Sequence, residues 1–190
     1  MACGSARRPN AQFSHLGFLV SDLEMMIGFY TRVLGLVLTD RGPYYRGGEI
    51  AFLSRDPGEH HQIVLASGRP PGIPTIINQI SFIVDELEDL RQFHAVVVAE
   101  KVRDLAPRNH GNAWSIYFLD PEGNRIELYT PSPWHVGQPC GRPLDLTAPA
   151  ATIRSETLDM IRGDPSYCSR EEWACGLKAR IEAAAVSPVK

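Results

Sequence analysis

The sequence predicts an α+β fold: two tandem βαβββ modules whose sheets enclose a cavity, followed by a partly helical C-terminal tail. Three observations predict it. A strand-then-helix pattern occurs twice, with Asn78-Gln79-Ile80-Ser81-Phe82-Ile83-Val84 matching Ser14-His15-Leu16-Gly17-Phe18-Leu19-Val20. Each copy is followed by a polar helix-start signal, Ser21 with Glu24 and then Asp85 with Glu88. The composition then shifts to Pro-rich after Pro131. These boundaries divide the chain into an N-terminal arm (residues 1–12), a first module (13–67), a second module (75–130) and an extension (131–190).

In the first module, residues 13–20 alternate. Leu16, Phe18 and Val20 form an apolar face suited to lie under a helix, and Phe13, His15, Gly17 and Leu19 form the other. Leu23, Met26, Ile27, Tyr30 and Leu34 recur at helical spacing, and Gly35 fits the position just past the helix end. Residues 36–39, 49–53 and 62–66 read as strands. In the second module, Leu87, Leu90, His94 and Val97 form the helix stripe. Residues 114–119 and 125–130 form a hairpin around Asp120-Pro121-Glu122-Gly123-Asn124. A hairpin symmetric about Glu122 sets Tyr117 opposite Glu127, so phenol and carboxylate share one face. In the tail, residues 152–162 and 170–185 read as helices, with Trp134 and Trp173 as anchors.

The chain has 190 residues, 44% hydrophobic and 22% charged, with a formal net charge of −3. That charge offers no general attraction to nucleic acid or to an anionic membrane. No apolar run reaches the ~20 residues needed to span a bilayer, and the first ten residues lack the apolar core of a secretory signal. Four cysteines without a C-x-x-C pair fit reduced thiols and a cytoplasmic location.

A carboxylate in the middle of an Ile-Glu-Leu strand needs an explanation, because an unpaired buried charge is costly. By parity His15, Gln79 and Glu127 all lie mid-strand on faces away from the helices. An imidazole, a carboxylate and an amide oxygen together suit a hard or borderline divalent cation. The same set also suits a polar cavity wall that binds water and no metal.

The segments FSHLGFLVSDLEMMIGFYTRVLGL, EHHQIVLASG and HGNAWSIYFLDPEGNRIELYT resemble the vicinal oxygen chelate superfamily. That superfamily includes glyoxalase I, extradiol catechol dioxygenases, methylmalonyl-CoA epimerase and bleomycin- and fosfomycin-resistance proteins. The resemblance spans residues 13–130 and is strongest to the type I extradiol dioxygenases. It implies a metal site at His15, Gln79 and Glu127, holding Fe(II) or else Mn(II) or another divalent ion. Gln79 stands where dioxygenases carry histidine. Val64 stands where glyoxalases and the epimerase carry a fourth ligand, which implies a three-ligand site. The family's surrounding groups fall on His61, His110 and Tyr117. His61 would be the acid–base group, His110 would hydrogen-bond bound oxygen and Tyr117 a substrate oxygen.

Strict alternation through Val64 instead turns His60 and Gln62 inward, so His60 stands beside His61 as the inward histidine. The function implied is ring cleavage of a small aromatic diol with O₂, by a homodimer. The alternatives are a metal-dependent isomerase or lyase of the same fold, and a non-catalytic protein that binds an aromatic compound.

Overall fold

The structure is a computed structural model, and it describes residues 11–70 and 72–186. The expected N-terminal arm lies largely outside the described residues. The first module contains β1 (Leu16–Val20), α1 (Leu23–Leu34), β2 (Val37–Pro43), β3 (Glu49–Ser54) and β4 (Ile63–Ser67). The second contains β5 (Ile80–Ile83), α2 (Leu87–Ala99), β6 (Arg103–Asn109), β7 (Ala113–Leu119) and β8 (Arg125–Pro131). The extension adds β9 (Trp134–His135), β10 (Arg142–Pro143), α3 (Ala150–Ile161), β11 (Cys168–Ser169) and α4 (Arg170–Val186).

Each module folds as the repeat predicts. The first sheet has the order β1-β4-β3-β2, and the second β10-β6-β7-β8-β5. In both, the first strand pairs in parallel with the last strand of its module. Gly17 faces Val64 in one register and Ser81 faces Glu127 in the other. Val64 is therefore the first-module counterpart of Glu127, as the repeat implies. The hairpin is symmetric as expected, with Tyr117 opposite Glu127.

The helices start one residue later than the capping pattern suggests. Asp22, not Ser21, is the N-cap of α1, and its carboxylate accepts from Met25 N at 2.9 Å. Glu86, not Asp85, caps α2, and its backbone N–H donates to Asp89 at 3.3 Å. The Ser21 and Asp22 backbone N–H groups instead donate to the Glu122 carboxylate at 2.6 and 2.8 Å. A negative charge there meets the positive end of α1. Gly35 closes α1 at φ 68, a left-handed geometry that glycine adopts freely.

The strands also depart from expectation. Two of them start later, so His15 and Gln79 lie one residue ahead of β1 and β5 instead of mid-strand. β6 was not placed by the sequence pattern. Its Arg-Asp-Leu-Ala-Pro-Arg-Asn run has no apolar alternation, and Pro107 lowers its strand signal.

One core joins both modules. Met26, Tyr30 and Val33 of α1 are buried together with Leu90 and Val97 of α2 and with Ile116, Phe118 and Leu128 of the second sheet. Phe29 and Phe118 bring α1 onto that sheet, with ring centroids 6.4 Å apart. A largely buried ion pair, Arg69 with Glu122 at 3.3 Å, ties the segment just after the first module to the hairpin turn. A cavity of about 580 Å³ lies between Leu34, Leu36 and Arg55 on one side and Phe82, Phe93 and Val96 on the other. None of His15, His61, Gln79, His110, Tyr117 or Glu127 lines it. No described helix is long and apolar enough to cross a membrane.

The extension packs on the second module. β10 pairs with β6 and covers what would be an open sheet edge. α3 buries Ile153, Thr157 and Ile161. β11 pairs with β9, and Trp173 stacks on His135 with centroids 4.9 Å apart.

Candidate active site

Glu127 is the centre of the site. It is 8% exposed, and four neutral donors surround its carboxylate. Gln79 Nε2 and Ser81 Oγ donate to Oε2 at 2.8 and 2.5 Å. Ser115 Oγ and Tyr117 OH donate to Oε1 at 2.9 and 2.5 Å. The alternation of β7 and the parallel register of β5 with β8 place these side chains on one face. Glu127 thus meets hydroxyls and an amide, and among the described residues no cationic side chain pairs with it. Ser81 and Ser115 were missed in the sequence, although strand parity alone puts both beside Glu127.

Tyr117 continues the network outward. Its hydroxyl lies 3.1 Å from His110 Nε2, and His110 Nδ1 lies 2.6 Å from the Cys140 carbonyl oxygen. A carbonyl oxygen only accepts, so Nδ1 carries a proton. The Tyr117 hydroxyl has one proton and two partners. With Nδ1 bound to the Cys140 carbonyl, Nε2 is the nitrogen that faces the phenol, and the phenol donates to Glu127. Burial and the hydrogen bond to Glu127 both push the Tyr117 phenol well above its ordinary pKa. It therefore stays protonated and acts as a donor.

The first module gathers a second group. His15 and His61 meet edge to face with centroids 4.3 Å apart. His60 Nδ1 lies 2.9 Å from His61 Nδ1, and His60 Nε2 lies 2.9 Å from Asp40 Oδ2. β4 begins at Ile63, so strand alternation does not reach back to residues 60–62. His61 turns toward His15, and His60 turns out toward Asp40. Burial lowers the His61 pKa, and the neighbouring His15 and His60 lower it further.

Of the three expected metal ligands, Gln79 and Glu127 are brought together and His15 is not joined to them. His15 contacts Ser14 and His61. Gln79 directs Nε2 at Glu127, and the amide orientation follows from that network. Among the described residues no group of three or more His, Cys, Asp and Glu side chains stands ready for a metal ion. The donor chemistry still fits a cation in part, because a carboxylate with an adjacent amide suits a hard or borderline divalent ion.

Residues 12–128 match the family model described as Glyoxalase/Bleomycin resistance protein/Dioxygenase superfamily. Over 123 residues the chain is 28% identical to biphenyl-2,3-diol 1,2-dioxygenase 2 of Rhodococcus globerulus, covering 62% of this chain and 61% of that protein. The chain thus spans about three-fifths of that dioxygenase. It is 34% identical over 125 residues to the metallothiol transferase FosB of Staphylococcus epidermidis, covering 62% of this chain and 80% of the relative. Among solved structures it is similar to the fosfomycin resistance protein FosX of Listeria monocytogenes complexed with Mn(II) and sulfate. There the TM-score is 0.52 at 19% identity, covering 65% of this chain and 95% of FosX. A glyoxylase/bleomycin resistance protein/dioxygenase domain from Frankia superposes with a TM-score of 0.56 at 22% identity, covering 65% and 94%. With the family model matching well over half of it, the chain belongs to the Glyoxalase/Bleomycin resistance protein/Dioxygenase superfamily.

Proposed function

We propose that this protein is a divalent-metal-dependent enzyme that moves a proton on a small oxygen-bearing substrate, in an isomerase, lyase or transferase reaction. The observation that carries the reading is the His110–Tyr117–Glu127 chain, in which one hydroxyl donates to the carboxylate and lies 3.1 Å from an imidazole nitrogen. Similarity to a metallothiol transferase and to a Mn(II)-containing resistance protein supports it.

In this reading Glu127 and Gln79 would hold the metal, Mn(II) or Fe(II), and its binding would draw in His15, which now rests against His61. A bound divalent ion supplies Lewis-acid polarisation of a substrate oxygen. Tyr117, kept protonated, donates a hydrogen bond to that oxygen. His110 returns or withdraws the proton through Tyr117, and neutral His61 acts as the base. The second sheet shields Glu127 from water. A dimer belongs to the reading, because Phe13, His15 and Leu19 leave one face of the first module exposed.

A second reading is extradiol cleavage of a small aromatic diol with O₂. It is favoured by Val64, which leaves three ligand positions, and by the similarity to biphenyl-2,3-diol dioxygenase. One experiment separates the two. The protein is loaded anaerobically with Mn(II) or Fe(II), its metal content is measured, and it is given epoxide–thiol pairs and catechols. Thiol addition or isomerisation without O₂ uptake supports the first reading. Coloured ring-cleavage products with O₂ uptake favour the second. Failure to retain either metal overturns both.

A further inference from the structure

The family match ends at residue 128, yet the segment just beyond it reaches the site. We infer that residues 138–140 of the extension are a positioning device for His110: the Cys140 carbonyl fixes the ring in its Nδ1–H form and so aims Nε2 at Tyr117.

The turn that carries His110 is gripped from several sides by the extension. Gly111 has φ +75, and a Cβ there would stand 2.6 Å from Val136 Cγ1 and 2.8 Å from Ile161 Cγ2. Only glycine lets the extension come this close. Ser132 Oγ donates to the Gly111 carbonyl at 2.6 Å. Arg142 pairs with Asn109 in the sheet, which lays the preceding residues alongside His110. Gln138 braces that crossing: its Nε2 donates to the His110 carbonyl at 2.9 Å, and its Oε1 accepts from Cys140 N at 3.1 Å. One side chain thus links the backbones of residues 110 and 140. The Cys140 carbonyl then sits 2.6 Å from His110 Nδ1.

An imidazole free in water places its proton on either nitrogen. Here the acceptor beside Nδ1 removes that choice, and the other nitrogen faces the Tyr117 hydroxyl at 3.1 Å. The extension thereby decides which nitrogen exchanges a proton with the site. The inference takes its functional meaning from the proton-moving role proposed for His110, but its test requires no turnover.

The test is long-range ¹H–¹⁵N NMR of histidine-labelled protein without metal or substrate, with His110→Gln assigning the signal. The neutral ring is expected with Nδ1 protonated and Nε2 bare. Gln138→Leu, which cuts both brace bonds, is expected to move His110 toward the Nε2–H form. An Nε2–H neutral ring in the unaltered protein overturns the inference. So does an unchanged His110 signal in Gln138→Leu that retains its fold. Should that variant fail to fold, the unaltered protein's tautomer decides alone. Loss of the proposed activity class would leave this result standing, since the measurement reads the ring and not the reaction.

Discussion

The Tyr117 hydroxyl donates to Glu127 Oε1 at 2.5 Å across a directly opposed pair of strand residues. This bond links the buried carboxylate to His110, so its removal separates binding from proton transfer. Tyr117→Phe is expected to lower turnover by roughly 10²-fold or more, the scale of a lost acid–base group. Metal retention should persist, because Ser81, Ser115 and Gln79 still hold the carboxylate in place. Paired metal analysis and turnover measurements check this. An equal loss of metal would assign Tyr117 to binding instead.

Gln79 occupies the position that tests metal ligation most directly. Replacing it with histidine supplies a stronger, more basic donor beside Glu127. Gln79→His is expected to tighten Fe(II) binding by roughly tenfold or more, within the range that single ligand-sphere changes produce. Isothermal titration under anaerobic conditions measures it. Unchanged affinity would remove Gln79 from the ligand set.

Glu122 holds the two modules together through an ion pair with Arg69 and two bonds to the start of α1. Both partners are largely buried, at 12% and 6% side-chain exposure. Glu122→Ala leaves the Arg69 charge uncompensated and two backbone donors unmet, and is expected to cost about 3–5 kcal/mol. Denaturant unfolding measures it. A loss below about 1 kcal/mol would show that water replaces the carboxylate without penalty.

The hairpin pairing of Tyr117 with Glu127 was legible because the Asp-Pro-Glu-Gly-Asn turn sets the register of both strands. The equivalence of Val64 and Glu127 was legible because the module is duplicated. Helix starts were off by one for a local reason. Ser21 and Asp22 are both good caps, and Glu122, distant in sequence, takes the Ser21 backbone N–H. β6 escaped because its pairing with β7 and β10, not its residue pattern, makes it a strand. The Cys140 carbonyl had no signal at all, since a backbone oxygen carries none and its place depends on the tertiary path of the extension. His60 and His61 were ambiguous because alternation has meaning only inside a strand, and both precede β4.

Thr157 links the extension to the second sheet through a buried hydroxyl. It is fully buried; Oγ1 accepts from Asn109 Nδ2 and Trp114 Nε1, both at 2.8 Å, and donates to the Ile153 carbonyl at 2.6 Å. Thr157→Val keeps the shape and removes the oxygen, which leaves two buried N–H donors without a partner. Each unsatisfied donor costs about 1–3 kcal/mol, so a total loss of about 2–6 kcal/mol is expected in denaturant unfolding. Thr157→Ser retains the hydroxyl and should lose far less. The loss should also reach the site: Asn109 immediately precedes His110, and its Oδ1 accepts from Gly111 N at 2.9 Å. Thr157→Val is therefore expected to raise hydrogen exchange at residues 109–111 before the rest of the second sheet, because releasing the Asn109 side chain loosens the turn beneath His110. Exchange that rises uniformly over the sheet would mean that α3 stabilises the module as a whole and does not act on this turn.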